Sequence, residues 1–406
     1  MKSLAPPLPK NDRLWITKRI REIKSVFDLE IANEVESSAF ETGYLSIFYL
    51  IYAKEFADEK ALQMAIVLRE KALQRLDFQS SHLTHGLGLH VVARIWKDSG
   101  IPHEKYELFL PEIKKSATKA GLAFLNKSES VELFEGATGL ALIAHCQQNL
   151  ELLEASLKTV KRRLVKTQLG WSCQSISYLQ NYFRQNFVKN WTPQFTLGIA
   201  HGTAGPLLAT CFSDEHQSVQ IRKKLLDFFL SLDRESPKRL FGNFWEQSSH
   251  HTMSAWCGGD AGIGFAITLA AKKEEGSRAV QLRRLGSKVF RRGVKESVWG
   301  SLVRDLHFCH GAAGITLLCQ RMNELDPSLA NSRAYRFWLR KLNQDPELKT
   351  CCALPPGLAQ AASLRNQSIV SGLTGWGLVL LSAVANDDLQ WDRLFLTNVI
   401  STAERV

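Results

Sequence analysis

Two short stretches of the sequence place thiols and an imidazole beside glycine residues. They are Trp256-Cys257-Gly258-Gly259 and Phe308-Cys309-His310-Gly311. Cysteine sulfur and histidine nitrogen bind zinc readily, and three protein ligands leave a fourth position open. An open position is typical of a zinc ion that takes part in catalysis rather than one that only stabilises a fold. Cys257, Cys309 and His310 are therefore candidate metal ligands.

The chemistry of this ligand set favours activation of a thiol. The spacing from Cys257 to the Cys309-His310 pair is not that of a zinc finger, so spacing alone does not establish the site. Two thiolate ligands lower the Lewis acidity of zinc, but they still allow it to hold a third thiol as a nucleophilic thiolate at neutral pH. We therefore expect zinc to activate a substrate thiol here, and not a water molecule.

Both stretches belong to a pattern that recurs seven times. Five of the seven units contain Gly-x-x-Gly, and each of these runs into an apolar segment. Amphipathic stretches rich in Leu, Lys, Arg and Glu lie between the units. The leading glycines of the seven units are Gly43, Gly86, Gly136, Gly202, Gly259, Gly311 and Gly372. An interval of about 55 residues accommodates two helices and their loops.

The repeats predict an all-α fold made of seven helical hairpins. In each hairpin the charged helix should face water and the apolar helix should face inward. Such hairpins could stack as an open solenoid or close into a ring. We favour the closed ring, an α/α toroid in which the Gly-x-x-Gly turns line one end, because reactive residues occupy the same repeat position in several units. We assign residues 1–12 to an N-terminal arm and residues 13–406 to one toroidal domain, with an extra excursion between Leu150 and Pro193.

The residue before each leading glycine supplies further candidates. In order these residues are Thr42, His85, Glu135, His201, Gly258, His310 and Ser371. A lone histidine beside glycine is more often part of the scaffold, but in a closed ring His201 would face the metal cavity. We therefore expect His201 to act as a general acid or base. Glu132 is a second candidate, although such carboxylates are usually solvated or capping. The role of His85 is open.

Composition limits the partners and the compartment. The formal net charge of +11 suggests an acidic partner, with a generally basic surface as the simpler alternative. No nucleic-acid-binding motif accompanies this charge. The eight cysteines form no disulfide framework, and no apolar run approaches 18 residues. We therefore expect a cytoplasmic protein without a membrane span and without a nucleic-acid partner.

The motifs resemble those of the lanthionine synthetase C-like family, the cyclases of lanthipeptide biosynthesis. The resemblance covers all seven units and is most specific at His201-Gly202, Trp256-Cys257-x-Gly259 and Cys309-His310-Gly311. It implies an α/α toroid with a central zinc ion bound by Cys257, Cys309 and His310, and His201 as the motif histidine. The implied reaction is Michael-type addition of a peptide cysteine to dehydroalanine or dehydrobutyrine, which forms the lanthionine or methyllanthionine rings of a lanthipeptide antibiotic.

The sequence departs from the family pattern at three positions. Glu132 stands where the family has Asp, Gly258 where it usually has Tyr, and Met253 where it often has Arg. These changes concern proton transfer and not zinc binding. Either Glu132 and His201 suffice, or His250, His251 or another basic residue replaces the missing Arg; for the two histidines a polar loop is the simpler interpretation.

Three functional hypotheses follow. The first is a stand-alone zinc-dependent cyclase that acts on a dehydrated precursor peptide with an acidic leader, alongside a separate dehydratase and an exporter. The second is a non-catalytic protein of the same fold that binds zinc and a thiol such as glutathione, or serves as a scaffold. The third is a protein prenyltransferase β-type subunit, whose Asp-Cys-His ligand order is not found here. We favour the first.

Overall fold

The structure is a computed structural model that describes most of the chain. The described residues are 8–34, 37–74, 88–101, 104–128, 130–173, 196–235, 241, 254–346, 367–387 and 389–397. Within these ranges helices dominate, as the repeats predict. Two short strands are the described exception to the all-helical pattern.

The structure describes fourteen α-helices within these ranges. They are α1 Lys10–Ala32, α2 Ala39–Phe56, α3 Glu59–Gln74, α4 Gly88–Asp98, α5 Glu104–Lys127, α6 Ala137–Cys146, α7 Leu150–Arg162, α8 Ala204–Ala209, α9 His216–Glu235, α10 Gly259–Ala270, α11 Gly276–Gly293, α12 Ala312–Leu325, α13 Leu329–Gln344 and α14 Leu373–Val384. The strands β1 Leu164–Thr167 and β2 Gly170–Cys173 lie between α7 and α8. Short 3-10 helices follow α8 (Thr210–Phe212), α10 (Ala271–Lys273), α11 (Glu296–Val298) and α14 (Trp391–Phe395).

The chain divides into two compact units, each assembled from several segments. The first unit comprises Met1–Asp77, Val92–Pro102 and Val303–Trp391, and the second comprises Phe78–Val91, His103–Leu302 and Asp392–Val406. In the first unit α2 packs on α3, α12 packs on α13, and α14 contacts α1, α2 and α12. In the second unit α6 packs on α7, α10 packs on α11, and α8 lies against both α6 and α10. The assignment of residues 13–406 to a single domain stays a prediction.

The helical hairpins combine a fully buried helix with an amphipathic one. Helix α10 is buried along its whole length, whereas its partner α11 buries only one face. Glycines bring these two helices close together, because a Cβ at Gly264 would lie closer than 3.0 Å to the backbone of Phe290. The predicted division into inward apolar helices and solvated charged helices therefore holds for this pair.

A loop of constant design precedes the buried helices. In four of these loops a backbone N–H at the helix start donates to the carbonyl seven residues earlier. The pairs are Ala137 to Ser130 (3.0 Å), Thr203 to Thr196 (3.0 Å), Gly262 to Ala255 (3.0 Å) and Ala312 to Asp305 (2.9 Å). The sequence repeats thus correspond to a repeated closed loop, and this loop carries the candidate site residues.

The second glycine of Gly-x-x-Gly lets the helix start press against its own loop. A Cβ at Gly205, Gly262 or Gly375 would come closer than 3.0 Å to the carbonyl oxygen of the residue six positions earlier. Real Cβ atoms do not approach backbone oxygens so closely, and a backbone oxygen in a hydrogen-bonded loop cannot move aside easily. The glycine pattern is therefore a packing requirement.

Backbone hydrogen bonds also join successive loops within each unit. In the second unit Leu133 N–H donates to Ala200 O (2.9 Å), and Ala200 N–H donates to Cys257 O (3.3 Å). In the first unit Cys309 N–H donates to Val370 O (3.0 Å). Equivalent positions of neighbouring repeats therefore lie side by side within each unit.

The longest interval between repeats contains the two strands. Strands β1 and β2 pair antiparallel, with Lys166 opposite Trp171, and they pack on α9. The Lys224 ammonium lies 4.5 Å from the Trp171 ring centroid. This hairpin falls inside the excursion that we predicted between Leu150 and Pro193, whose residues 174–193 lie outside the described ranges.

Helix α1 begins earlier than the predicted arm ends. Its first residue is Lys10, so the last three residues of the arm, 10–12, are helical. Asp12 is buried and accepts two hydrogen bonds from the Arg340 guanidinium, at 3.1 and 2.8 Å. The start of α1 is therefore anchored to α13 within the first unit.

We predict that Gly205→Ala destabilises the protein by about 3 kcal/mol, at the upper end for an overpacked site, because the added Cβ meets a backbone oxygen. Gly300→Ala is the matched control in the same unit. Gly300 has a left-handed φ of 79° but no atoms near the added Cβ, so we expect a loss of only about 1 kcal/mol. Denaturant unfolding of both variants measures the difference. Equal losses would show that backbone conformation, and not the close approach, limits these glycines.

Candidate active site

A histidine and a carboxylate from neighbouring repeats meet in the second unit. His201 Nδ1 lies 3.0 Å from Glu132 Oε2, across a separation of 69 residues. The Glu132 side chain is 2% exposed and that of His201 is 29% exposed. Carboxylates at helix ends are usually solvated or capping, but the candidate Glu132 is buried. A buried carboxylate at one ring nitrogen orients the imidazole and leaves the other nitrogen to exchange protons.

Aromatic side chains support this pair. The Phe134 ring lies 6.2 Å from the His201 ring and 6.0 Å from the Trp256 ring, measured between centroids. Trp256 is fully buried and donates its indole N–H to the Phe395 carbonyl at 2.9 Å. The residue before Cys257 is therefore fixed by packing and by a hydrogen bond.

Cys257 lies on a loop that its neighbours hold in place. Its carbonyl accepts from Ala200 N–H, and a Cβ at Gly198 would come closer than 3.0 Å to that carbonyl oxygen. The thiol of Cys257 is not part of a disulfide in the described structure, and its side chain is half-buried. Gly198 is therefore a residue that the close approach of two loops requires, and the glycine repeat pattern did not single it out.

The end of this loop is anchored by a buried ion pair. Asp260, in the first turn of α10, accepts from Arg292 Nε at 2.9 Å and from Phe241 N–H at 2.5 Å. Ser254 donates its hydroxyl to the Gly293 carbonyl at 2.6 Å. The segment from Ser254 to Asp260, which includes Cys257, is thus tied at both ends to the C-terminal end of α11.

In the first unit, Cys309 and His310 lie beside a carboxylate and a second histidine. His310 Nε2 is 3.3 Å from Asp305 Oδ2 and 3.2 Å from His307 Nδ1. The Asp305 carboxylate also accepts from His307 N–H at 2.9 Å. Hydrogen bonds with Asp305 and with the Cys309 side chain raise the pKa of His310 to about 10. Burial lowers the pKa of His307.

This cluster contains a possible metal-binding group. One ligand atom from each of Asp305, His307 and His310 can be chosen so that all lie within 4.8 Å of one another. The contact between Cys309 and His310 adds a thiol to the same neighbourhood. A carboxylate hydrogen-bonded to a ligating histidine is a common arrangement around protein-bound zinc, where it fixes the orientation of the ring.

Comparisons with known proteins decide the family. A model of the family described as "Lanthionine synthetase C-like protein" matches residues 36–396. The chain belongs to this family. The solved structure of nisin cyclase matches with a TM-score of 0.68 at 13% sequence identity, covering 93% of this chain and 97% of that chain. A comparison with curated protein sequences gave no match.

The likeness in structure confirms the predicted fold class, the all-α α/α toroid. Membership of the lanthionine synthetase C-like family agrees with the resemblance that the motifs carry, and it does not favour the prenyltransferase alternative. Among the described helices, none has the length and apolar character needed to cross a membrane.

The structure brings some predicted site residues together in each unit. Glu132 meets His201 in the second unit, which also contains Cys257, and Cys309 meets His310 in the first. The ligand set of Cys257, Cys309 and His310 stays a prediction. Four further positions named in the sequence analysis lie outside the described residues: His85, His250, His251 and Met253.

Two residues of the first unit were missed by the sequence analysis. Asp305 and His307 come shortly before the Cys309-His310 pair. The short motif Asp305-x-His307-x-x-His310 contains three potential metal ligands, and this clustering could have revealed them. The departure at Gly258 also has a structural aspect. Its φ of −165° and ψ of 173° are extended values that any residue adopts, so backbone conformation does not demand glycine where the family resemblance predicts Tyr.

We predict that Asp305→Asn lowers the pKa of His310 in the metal-free protein from about 10 towards the ordinary value of about 6.5. The carboxylate stabilises the protonated ring, and its removal favours the neutral form. Since the folded-state pKa is raised, His310 stabilises the metal-free protein below pH of about 6.5, and this contribution is lost as the pH rises through about 10. Histidine-selective NMR titration measures the shift. An unchanged pKa would assign the shift to Cys309 instead.

Proposed function

We propose that this protein is a zinc-dependent lanthipeptide cyclase. The observation that carries the proposal is the contact between His201 Nδ1 and the buried Glu132 carboxylate, at 3.0 Å, in a member of the lanthionine synthetase C-like family. A half-exposed imidazole held by a buried carboxylate is equipped to transfer protons. The proposed reaction adds cysteine thiols of a dehydrated precursor peptide to dehydroalanine or dehydrobutyrine.

We propose Cys257, Cys309 and His310 as the zinc ligands. The donor types fit zinc, which takes Cys and His together and leaves a fourth position for a substrate. The carboxylate of Asp305 on His310 Nε2 supports this assignment, because it leaves the other ring nitrogen for the metal and fixes the ring. When bound, zinc would lower the pKa of a substrate thiol and so supply a thiolate at neutral pH.

Side chains of the protein then carry out the proton transfers of the addition reaction. The peptide sulfur forms a bond to the β-carbon of the dehydrated residue, and the electron pair of the double bond moves to the α-carbon as an enolate. His201 protonates that α-carbon, while the thiol proton leaves to solvent or to the same imidazole. No atom is lost, so the thioether product contains both reactants. Glu132 holds the Nδ1 side of the ring, which makes Nε2 the nitrogen that exchanges protons.

The partners follow from this reaction. The substrate is a dehydrated precursor peptide with an acidic leader, which the net charge of +11 favours. A separate dehydratase must supply the dehydrated residues, and an exporter would remove the antibiotic product. We place the reaction in the cytoplasm, because free thiols persist in reducing compartments. None of the six described cysteines is part of a disulfide in the described structure.

A second candidate function is a non-catalytic protein that binds zinc and a small thiol such as glutathione, or acts as a scaffold. Gly258 and Met253 favour it, because the family usually has Tyr and Arg at these positions. Such a protein would share the zinc ligands but would not need a proton-transfer histidine. The role of His201 therefore separates the two functions.

We expect the purified protein to contain about one zinc ion per chain. Cys257→Ala and Cys309→Ala should each reduce the bound zinc strongly after brief dialysis against a weak chelator. Cys319→Ala is the matched control, because Cys319 is a fully buried core thiol on α12. Elemental analysis measures the content. Unchanged zinc in both ligand variants would remove these cysteines from the site.

We expect His201→Ala to keep zinc and the fold but to slow cyclisation by about 10²–10⁴-fold, as for the loss of a general acid or base. His145→Ala is the matched control, since His145 lies in the same unit and its ring stacks on Phe212, with ring centroids 4.5 Å apart. The assay counts free thiols of a dehydrated precursor peptide over time.

The Glu132 variants test the pair separately from the histidine. Glu132→Asp should retain most activity, because relatives carry Asp there, whereas Glu132→Gln should lose activity without loss of zinc. If His201→Ala cyclises at the wild-type rate, proton transfer belongs to another group. If neither wild type nor variants cyclise while zinc and glutathione bind, the non-catalytic function is correct.

A further inference from the structure

Helix α11 carries an unusual concentration of positive charge. The segment 276–295, which is α11 and the two residues after it, contains seven basic residues and no acidic ones. The basic residues are Arg278, Arg283, Arg284, Lys288, Arg291, Arg292 and Lys295. Because the whole chain has a net charge of +11, this short segment holds much of the excess.

Carboxylates neutralise only part of this charge. Arg278 pairs with Asp227 at 2.7 Å, Lys288 with Asp233 at 2.9 Å, and Arg292 with Asp260 at 2.9 Å. The other four basic residues are exposed: Arg283, Arg284, Arg291 and Lys295. In the part of the chain that the structure describes, none of them has a carboxylate partner. This charge is therefore available to a ligand.

Three of the four unpaired charges, together with the paired Lys288, form a line on the solvent face. Residues 284, 288 and 291 are spaced four and three apart, so they lie above one another on one side of the helix. Lys295 follows directly beyond the C-terminal end of α11. We call Arg284, Lys288, Arg291 and Lys295 the α11 stripe. It extends over about 16 Å, which an extended peptide covers with about five residues.

The stripe leads to the loop that bears Cys257. At its C-terminal end the Gly293 carbonyl accepts from Ser254 Oγ at 2.6 Å, and Arg292 Nε donates to Asp260. Ser254 and Asp260 bracket Cys257 in the sequence. The C-terminal end of the stripe therefore lies beside the segment that carries Cys257, within the same unit.

We propose that the α11 stripe binds an acidic segment of the precursor peptide, the leader, and so directs the attached core towards Cys257. The inference rests on the proposed function for the identity of the peptide. Charge complementarity and the position beside Cys257 favour an acidic peptide. A single-stranded nucleic acid is less suited, because the only aromatic residue of α11 is Phe290, which is buried and cannot stack with bases.

The test measures binding of a defined probe to the full chain. The probe is a fluorescein-labelled peptide of about 12 residues in which Asp and Glu alternate with Gly and Ser, and its neutral counterpart has Asn and Gln in their place. Anisotropy is recorded at about 50 mM and about 500 mM salt. We expect the acidic peptide to bind and the neutral one not to, with affinity that falls steeply at high salt.

Two variants with the same net charge distinguish binding by the stripe from a general effect of the protein's net charge. R284Q/R291Q/K295Q removes three exposed charges from the stripe and keeps the Lys288–Asp233 pair. K115Q/K119Q/K127Q removes three exposed charges from α5 in the same unit. We expect the stripe variant to weaken binding about tenfold, a few-fold for each exposed pair, and the α5 variant to change it less than about twofold.

Several outcomes would overturn the proposal. Equal weakening by both variants would assign binding to net charge, and no binding of the acidic peptide would remove the stripe as a docking site. A labelled single-stranded DNA of similar length that binds more tightly than the peptide, and only to the unmodified stripe, would assign the stripe to nucleic acid.

Zinc content and cyclisation of a leaderless dehydrated core peptide are measured in the same variants. Both should remain at wild-type values in the stripe variant. Stripe-dependent peptide binding without any cyclisation by the wild type would contradict the proposed function and leave the stripe as a peptide-binding surface.

Discussion

The closed loop that precedes four of the described buried helices is the constraint on which the candidate site depends. A backbone hydrogen bond across seven residues closes the loop, and glycine at the helix start lets the helix press against it. His201, Cys257, Cys309 and His310 all occupy the one or two positions before the leading glycine of such a loop. Their placement is therefore set by backbone geometry, and side chains of quite different chemistry can be exchanged there without a change of fold.

Hydrogen bonds between successive loops bring residues from similar repeat positions together into one site. Leu133 donates to Ala200, and Ala200 donates to Cys257, so three repeats of the second unit are joined two or three residues before their leading glycines. This connection brings Glu132 and His201 together although 69 residues separate them in the sequence. In the first unit the hydrogen bond from Cys309 N–H to the Val370 carbonyl joins two successive loops in the same way. A pair that acts chemically can thus be assembled from repeats that each contribute one residue.

The repeats could be predicted from the sequence because close backbone approach permits only glycine, and glycine leaves a visible periodic signal. The class of fold and the positions of His201, Cys257, Cys309 and His310 in the loops follow from that signal. The burial of Glu132 could not be predicted, because it depends on which loop packs against which. The same holds for Gly198, which lies outside the Gly-x-x-Gly pattern, and for the β1–β2 hairpin, whose four-residue strands carry too little alternation to stand out.

Two of the departures from the expected family pattern, Gly258 and Glu132, lie in the loops before buried helices. Gly258 has an extended backbone that any residue could adopt, so backbone conformation does not require glycine there. Glu132 is one methylene longer than the Asp of relatives, yet it reaches His201 at ordinary hydrogen-bond distance. A loop fixed by its backbone tolerates such changes in side-chain length. Chemistry in this fold can therefore be adjusted one residue at a time, while the buried helices and glycines that position it remain constant.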